Sequence, residues 1–363
     1  MACICFVVGA RPNFMKAAPV HRALGATDPD IDRLLVHTGQ HYDEGMSSVF
    51  IRELGLPEPD VFLGVGSGSH AEQTARALVS VEGVLREHAP DLVVVSGDVN
   101  STLAAALAAV KLHIRVAHIE SGLRSFDDTM PEEHNRRLTD HLSSLLLAHS
   151  ADAVRNLRCE GIDDARIRLV GNTMIDSVFD HVDAARARAP WESFGFEPRT
   201  YVLVTLHRPT LVDSDALLTR TVRALDHLAE TMPVIFPAHP RTRATLARLG
   251  LDKSIEREGI HVCEPLGYLD FLGLEAEARA VVTDSGGVQE ETSALGVPCF
   301  TLRASTERPI TVELGTNTIL GLDPERIAEV PFLLDDDRTP SAIPLWDGRA
   351  GIRTAEALIA FLR

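Results

Sequence analysis

Several short segments of this chain carry residues able to hold an anion or move a proton. Gly9-Ala10-Arg11-Pro12-Asn13-Phe14-Met15-Lys16 follows an apolar run and sets Arg11 and Lys16 around a helix start, where unpaired backbone N–H groups already favour negative charge. The plainer reading is a Gly/Pro turn that ends a strand, with both cations solvated. Asp98 and Glu120 each close an apolar run, and the carboxyl ends of buried parallel strands are where α/β sheets hold their ligands. Asp98 alone also reads as a helix cap. His207 ends a third run, a placement suited to an imidazole acting as acid or base.

Thr283-Asp284-Ser285-Gly286-Gly287-Val288-Gln289-Glu290-Glu291 is the most informative segment. A strand, a small Gly-rich turn and acidic residues one helical turn later would let the N–H groups of Ser285, Gly286 and Gly287 cradle a phosphate, while a glutamate further on accepts ribose hydroxyls. An ordinary strand-to-helix turn is the alternative, because glycine is the default residue of tight turns. Pro131-Glu132-Glu133-His134-Asn135-Arg136 reads as a helix start with proline and acids in its first turn and Glu132 paired with Arg136 at i,i+4. Local helix physics explains all of it.

Positioning these residues falls to a repeated strand-loop-helix rhythm. Strands are predicted over 4–8, 34–37, 91–95 and 115–119, with helices over 14–24 and 101–112 between them. A second set follows: strands over 202–206, 234–237, 261–263, 280–283 and 299–302, and helices over 217–232, 241–249, 269–277 and 289–295. The fold class is therefore α/β, with two Rossmann-like doubly wound domains facing across a cleft lined by strand-end loops. The expected division is 1–170 for the N-terminal domain and 171–349 for the C-terminal, nucleotide-binding domain, with a tail helix over 350–363 returning to the first.

Composition agrees with this class and excludes others. The chain has 363 residues, of which 45% are hydrophobic and only 5% aromatic, a mixture suited to parallel strands covered by Ala/Leu helices. A net charge of −17 argues against a nucleic-acid binder, which needs surplus cations, yet one basic cleft suffices for a small anion. The cysteines Cys3, Cys5, Cys159, Cys263 and Cys299 are expected to be reduced, buried thiols, and their spacing does not suit zinc. No basic leader or apolar stretch of ~20 residues is present, so a cytoplasmic protein without a membrane partner is expected.

Taken in order, these segments resemble the non-hydrolysing UDP-N-acetylglucosamine 2-epimerases almost end to end. The motifs that carry the resemblance are Gly9 to Lys16, His37-Thr-Gly-Gln-His41, Ser96-Gly-Asp-Val-Asn-Ser-Thr102, His118-Ile-Glu-Ser-Gly-Leu-Arg124, Pro131 to Arg136, His207-Arg208, Asp284 to Glu291 and Thr306-Glu-Arg-Pro309. The resemblance implies a GT-B-like arrangement, a homodimer, and no metal or nicotinamide cofactor. It places Arg11, Lys16, Arg136, His207, Ser285, Gly286, Gly287, Glu291 and Arg308 on the nucleotide and its phosphates, and Phe271 on the uracil. Asp98, Glu120 and Glu132 become the catalytic carboxylates, with His207 beside them.

The chemistry implied is reversible C2 epimerisation. The C2 proton is not adjacent to a carbonyl, so UDP is eliminated to a glycal-like intermediate and adds back after C2 is reprotonated on the other face. That sequence needs cations and N–H dipoles for the departing pyrophosphate and an acid and a base about C2. Two departures stand out. Pro209-Thr210 replaces the usual Glu-Asn after His-Arg, in a neighbourhood that bacterial members use for activation by their substrate, so weak, absent or altered regulation is expected. Ser121 replaces the usual alanine. The competing readings are a hydrolysing 2-epimerase, an epimerase of a modified UDP-sugar, and a GT-B glycosyltransferase.

Overall fold

A computed structural model describes residues 2–39, 53–255, 259–334 and 340–363. The side chains of Arg11, Lys253 and Ser254 also lie outside what is described, as do Gln40 and His41 of the His37 to His41 motif. Two compact units result, one formed by Met1–Asp180 with Pro344–Arg363 and the other by His181–Ile343. The division falls inside the helix Thr173–Ala187, later than the turn at Gly171 and Asn172 where the sequence suggests a boundary. An amphipathic helix leaves no local trace of which residues along it pack with which unit.

The first unit is built on a seven-stranded sheet in the order β3-β2-β1-β4-β5-β6-β7. Its strands are β1 (Cys3–Val8), β2 (Asp32–His37), β3 (Val61–Phe62), β4 (Leu92–Ser96), β5 (Arg115–Ser121), β6 (Leu145–Ala148) and β7 (Ile167–Leu169). All pairings are parallel. Alternate residues Cys5, Val7, Val93, Val95 and Val116 face the small side chains Ala105, Ala106, Ala108 and Ala109 of the helix Asn100–Lys111 in one core. The intervening Ile4, Phe6, Val8 and Val94 are buried as well. Burial on both faces is why these strands read as unbroken apolar runs.

The second unit repeats the plan with six parallel strands ordered β10-β9-β8-β11-β12-β13. They are β8 (Val202–Thr205), β9 (Val234–Pro237), β10 (Ile260–Cys263), β11 (Ala280–Thr283), β12 (Cys299–Thr301) and β13 (Asn317–Ile319). Val202, Val204, Val234, Phe236, Ala280 and Val282 fill one face of this sheet, and Tyr201, Leu203, Ile235 and Val281 the other. Both sheets reverse their strand order once, between β1 and β4 and between β8 and β11, which is the doubly wound pattern expected. Strands β3, β6, β7 and β13, of two to four residues each, were not read from the sequence, because so few positions set no clear period, and the nine-residue helix Ala151–Cys159 was not read either. Three thiols depart from the expectation of burial: Cys159, at the end of that helix, is exposed, and Cys3 and Cys263 are only partly buried.

The tail helix Ala350–Leu362 packs against the helix Arg11–Thr27, where a Cβ on Gly351 would meet Pro19 at 2.8 Å. Asp176 caps it, accepting from the N–H groups of Ala350 (3.1 Å) and Gly351 (2.6 Å). Burial raises the Asp176 carboxyl to about 6 against the pull of those two donors. Replacing Asp176 with alanine should cost about 1–2 kcal/mol, the usual value of a lost cap. Amide hydrogen exchange of residues 350–362 measures it, and unchanged protection there would refute the capping role. Among the described residues no helix is long and apolar enough to cross a membrane.

Candidate active site

In the first unit the strand order brings the loops after β1, β4 and β5 side by side. Asn13, in the first turn of the helix that follows β1, accepts from the N–H groups of Gly9 and Ala10 (both 3.1 Å) and donates to the Ser96 carbonyl at 2.7 Å. This clamps the β1 turn to the end of β4. One turn on, Lys16 forms an ion pair with Glu120 in which both side chains are nearly buried. Glu120 reaches it because β5 carries an irregularity: the register shifts between Ile119 and Ser121, and Glu120 takes a left-handed φ of 68°. A non-glycine residue held there is strained, a state that persists where surrounding contacts over-determine it and that clusters at functional sites. Gly97 has φ 67°, and a Cβ on it would stand 3.2 Å from the Lys16 Nζ and 3.3 Å from the Glu120 Oε2. Any side chain there would crowd the pair.

Asp98 is engaged by Arg136, whose Nε and Nη2 lie 2.9 and 2.7 Å from its Oδ2. Arg136 does not pair with Glu132 as the i,i+4 spacing suggested. Its third contact is Glu133 at i,i+3, 2.9 Å away, because Glu133 points inward and also accepts from the Ser125 N–H (2.8 Å), the Ser125 hydroxyl (3.0 Å) and the Phe126 N–H. Glu132, half-buried on the same first turn, has no ion-pair partner among the described residues. The unit thus holds two strand-end carboxylates on nearly buried cations, Glu120 on Lys16 and Asp98 on Arg136.

Behind them lies a buried network that the sequence did not announce. Both ring nitrogens of His118 face acceptors, the Gly97 carbonyl at 2.8 Å and Asp140 at 2.7 Å. Asp140 also accepts from the Gly122 N–H (3.1 Å) and pairs with Arg124 at 2.7 Å. Burial by itself would push the Asp140 carboxyl up, but the hydrogen bond and charge of His118, with Arg124, outweigh it and hold it below the ordinary range. His118 and Arg124 belong to a motif noted in the sequence, yet their partner sits 22 and 16 residues away, a separation only the fold closes.

In the second unit Asp284, directly after β11, accepts from the N–H groups of His207 (2.9 Å) and Arg208 (2.7 Å), and its Oδ1 lies 3.2 Å from the His207 Nδ1. The register Thr205↔Thr283 sets the two strand ends level, which is how a carboxylate comes to orient a histidine 77 residues away. The His207 ring is 42% exposed while Asp284 is buried, so the imidazole is anchored at one nitrogen and open at the other. Ser285 is the N-cap of the helix Gly286–Leu295, and its own N–H is taken by the Thr283 hydroxyl at 2.9 Å. The Ser285 N–H is thus engaged within the turn, while the first helical N–H groups, beginning at Gly286 and Gly287, have no partner within the helix.

Arg308 lies over that helix start: a Cβ on Gly286 would meet its Nη1 at 2.5 Å. Its guanidinium is fixed by Glu290 (2.9 Å) and Glu307 (2.5 Å). Glu307 also binds Arg303 at 2.6 Å and Arg208 at 3.4 Å, so three guanidinium groups gather on one buried carboxylate beside a positive helix end. Such a constellation suits a polyanion. Glu291 is nearly buried on the same helix, and Phe271 sits half-buried on the helix Tyr268–Ala276, packed on the core beside Leu274. Asp284 and Glu307 were quoted within motifs without a role. Adjacency of β8 and β11 in a doubly wound order was the one signal that pointed to Asp284.

Comparison with known proteins bears on this arrangement. The chain matches the family described as UDP-N-acetylglucosamine 2-epimerase over residues 24–359. It is 43% identical over 362 residues to the UDP-N-acetylglucosamine 2-epimerase of Methanocaldococcus jannaschii, covering 98% of each chain. A crystal structure of that archaeal protein in complex with UDP-GlcNAc and UDP matches with a TM-score of 0.92, 43% identity and 99% of each chain covered. A Pseudomonas aeruginosa protein named UDP-2,3-diacetamido-2,3-dideoxy-D-glucuronate 2-epimerase is 42% identical over 330 residues, 90% of each chain. With its two doubly wound sheets, a family match over residues 24–359 and 43% identity across almost the whole of an archaeal member, this chain belongs to the UDP-N-acetylglucosamine 2-epimerase family.

Proposed function

We propose that the protein interconverts UDP-N-acetylglucosamine and UDP-N-acetylmannosamine by eliminating UDP from C1 with loss of the C2 proton, then returning a proton to the opposite face of C2 as UDP adds back to C1. The observation that carries this reading is the pairing of strand-end carboxylates with buried cations in the first unit, Glu120 with Lys16 and Asp98 with Arg136. Elimination from C1 and C2 needs a base for the C2 proton, an acid for its return, and positive charge for the departing pyrophosphate. Asp98, Glu120 and the unpaired Glu132 are the proton-transfer groups. Arg11, Lys16, His207, Arg308 and the Gly286–Gly287 N–H groups are assigned to the pyrophosphate. Glu291 takes the ribose hydroxyls and Phe271 packs on the uracil. No step calls for a metal or a redox cofactor.

Incubation with UDP-N-acetylglucosamine in heavy water, followed by proton NMR, tests the reading. Deuterium should enter C2 of both epimers while the UDP-sugars stay intact. Release of free N-acetylmannosamine with UDP would instead indicate a hydrolysing enzyme. A second reading, epimerisation of a modified UDP-sugar, is favoured by the 42% identity to the Pseudomonas protein. UDP-2,3-diacetamido-2,3-dideoxy-D-glucuronate turned over with a kcat/KM above that of UDP-N-acetylglucosamine would establish it. Rates should depend hyperbolically on substrate, given Pro209-Thr210 at the head of the helix Pro209–Val212; a sigmoidal curve would restore substrate activation.

Asp284→Asn keeps the shape behind His207 but removes the charge that orients it. Turnover is expected to fall about ten- to a hundredfold, part of what a positioned acid–base group contributes, with little change in KM. A kcat equal to wild type would show that His207 needs no such orientation.

A further inference from the structure

One buried acid in the second unit has no place in the chemistry above. Glu275 lies in the last turn of the helix Tyr268–Ala276 and is fully buried. Among the described residues neither carboxyl oxygen meets an N–H or hydroxyl donor, and no ion pair neutralises it. Its hydrogen-bond partner is another acid, Glu291, on the helix Gly286–Leu295 packed beside it. Two carboxylates in contact away from water cannot both be ionised. Burial and the neighbouring Glu291 together push the Glu275 carboxyl far above the ordinary range, and of the two it is the more deeply buried.

We propose that Glu275 is a positioning residue for nucleotide recognition: as a neutral carboxylic acid it donates to Glu291 from behind and fixes the carboxylate that accepts the ribose hydroxyls. The role rests on the assignment of Glu291 to the ribose under the proposed function. A carboxylate is an acceptor only, so it cannot hold another carboxylate in place, whereas a protonated acid supplies a donor. Orientation matters because a charged acceptor strengthens a hydroxyl contact only when its lone pairs are aimed along it. Glutamine at 275 would preserve the donor through its amide N–H, whereas methionine would preserve only the volume.

Calorimetric titration of wild type, Glu275→Gln and Glu275→Met with UDP, 2′-deoxy-UDP and 3′-deoxy-UDP tests this. Glu275→Met should weaken UDP about tenfold and the deoxy analogues about twofold or less, so that discrimination by the ribose hydroxyls collapses, while Glu275→Gln stays within about threefold of wild type for all three. Equal losses for UDP and its deoxy analogues, or no loss in Glu275→Met, would overturn the role. Should the methionine variant not fold, infrared spectroscopy of the wild type decides the matter: a protonated-carboxyl C=O band at neutral pH that vanishes in Glu275→Gln is expected, and its absence overturns the proposal. Wild-type protein that fails to bind UDP would instead overturn the nucleotide assignment on which the role rests.

Discussion

Glu120→Gln is expected to lower kcat about a thousandfold, within the span that positioned acid–base groups contribute, while UDP affinity changes about threefold or less. Glutamine occupies the same volume and tolerates the same left-handed backbone no worse than glutamate does, so the β5 irregularity is retained. What is lost is the group able to take or return a proton. Lys16 keeps its place and its charge, and without its counter-ion it is still available to the pyrophosphate. Rapid-quench turnover and UDP titration, run on the same preparation, separate the two effects. A kcat within about fivefold of wild type would remove Glu120 from the proton-transfer set, since a true acid or base is worth more than that. The melting temperature should also fall, because removing one partner leaves a buried cation uncompensated, at a cost of about 3–5 kcal/mol.

Asp140→Ala should also cost about 3–5 kcal/mol of stability, again because buried partners are left unpaired. His118, Arg124 and the Gly122 N–H all converge on this carboxylate. Its pH dependence has a definite sign. The native carboxyl is held below its ordinary value, so its stabilisation is present above the unfolded value near ~3.9 and is lost as pH falls through the native one. The gap between wild type and Asp140→Ala should accordingly be wide at neutral pH and narrow below about pH 4. Chemical denaturation at a series of pH values measures it, and a gap that did not change with pH would show that packing, rather than the charge, carries the effect. Activity should drop as well, because His118 is the link from Asp140 to the Gly97 carbonyl, beside which Lys16 and Glu120 meet.

The sequence by itself determined the fold class, the two sheets and most of the residues gathered at their strand ends. Buried parallel strands need apolar side chains on both faces and helices between them, and that requirement is written locally, run by run. Asp98, Glu120 and His207 were legible for the same reason, since a polar residue that closes such a run can only stand at the strand end. Tertiary structure alone decided the partners. Glu132 and Arg136 satisfy the i,i+4 spacing of an ion pair, yet Arg136 turns to Asp98 and Glu133, because a buried guanidinium takes whichever carboxylates the sheet brings within reach. Lys16 finds Glu120 across 104 residues, Asp284 finds His207 across 77, and Glu275 finds Glu291 on the neighbouring helix. Charge pairing depends on distance in space and on the absence of water, and neither quantity can be read from position along the chain.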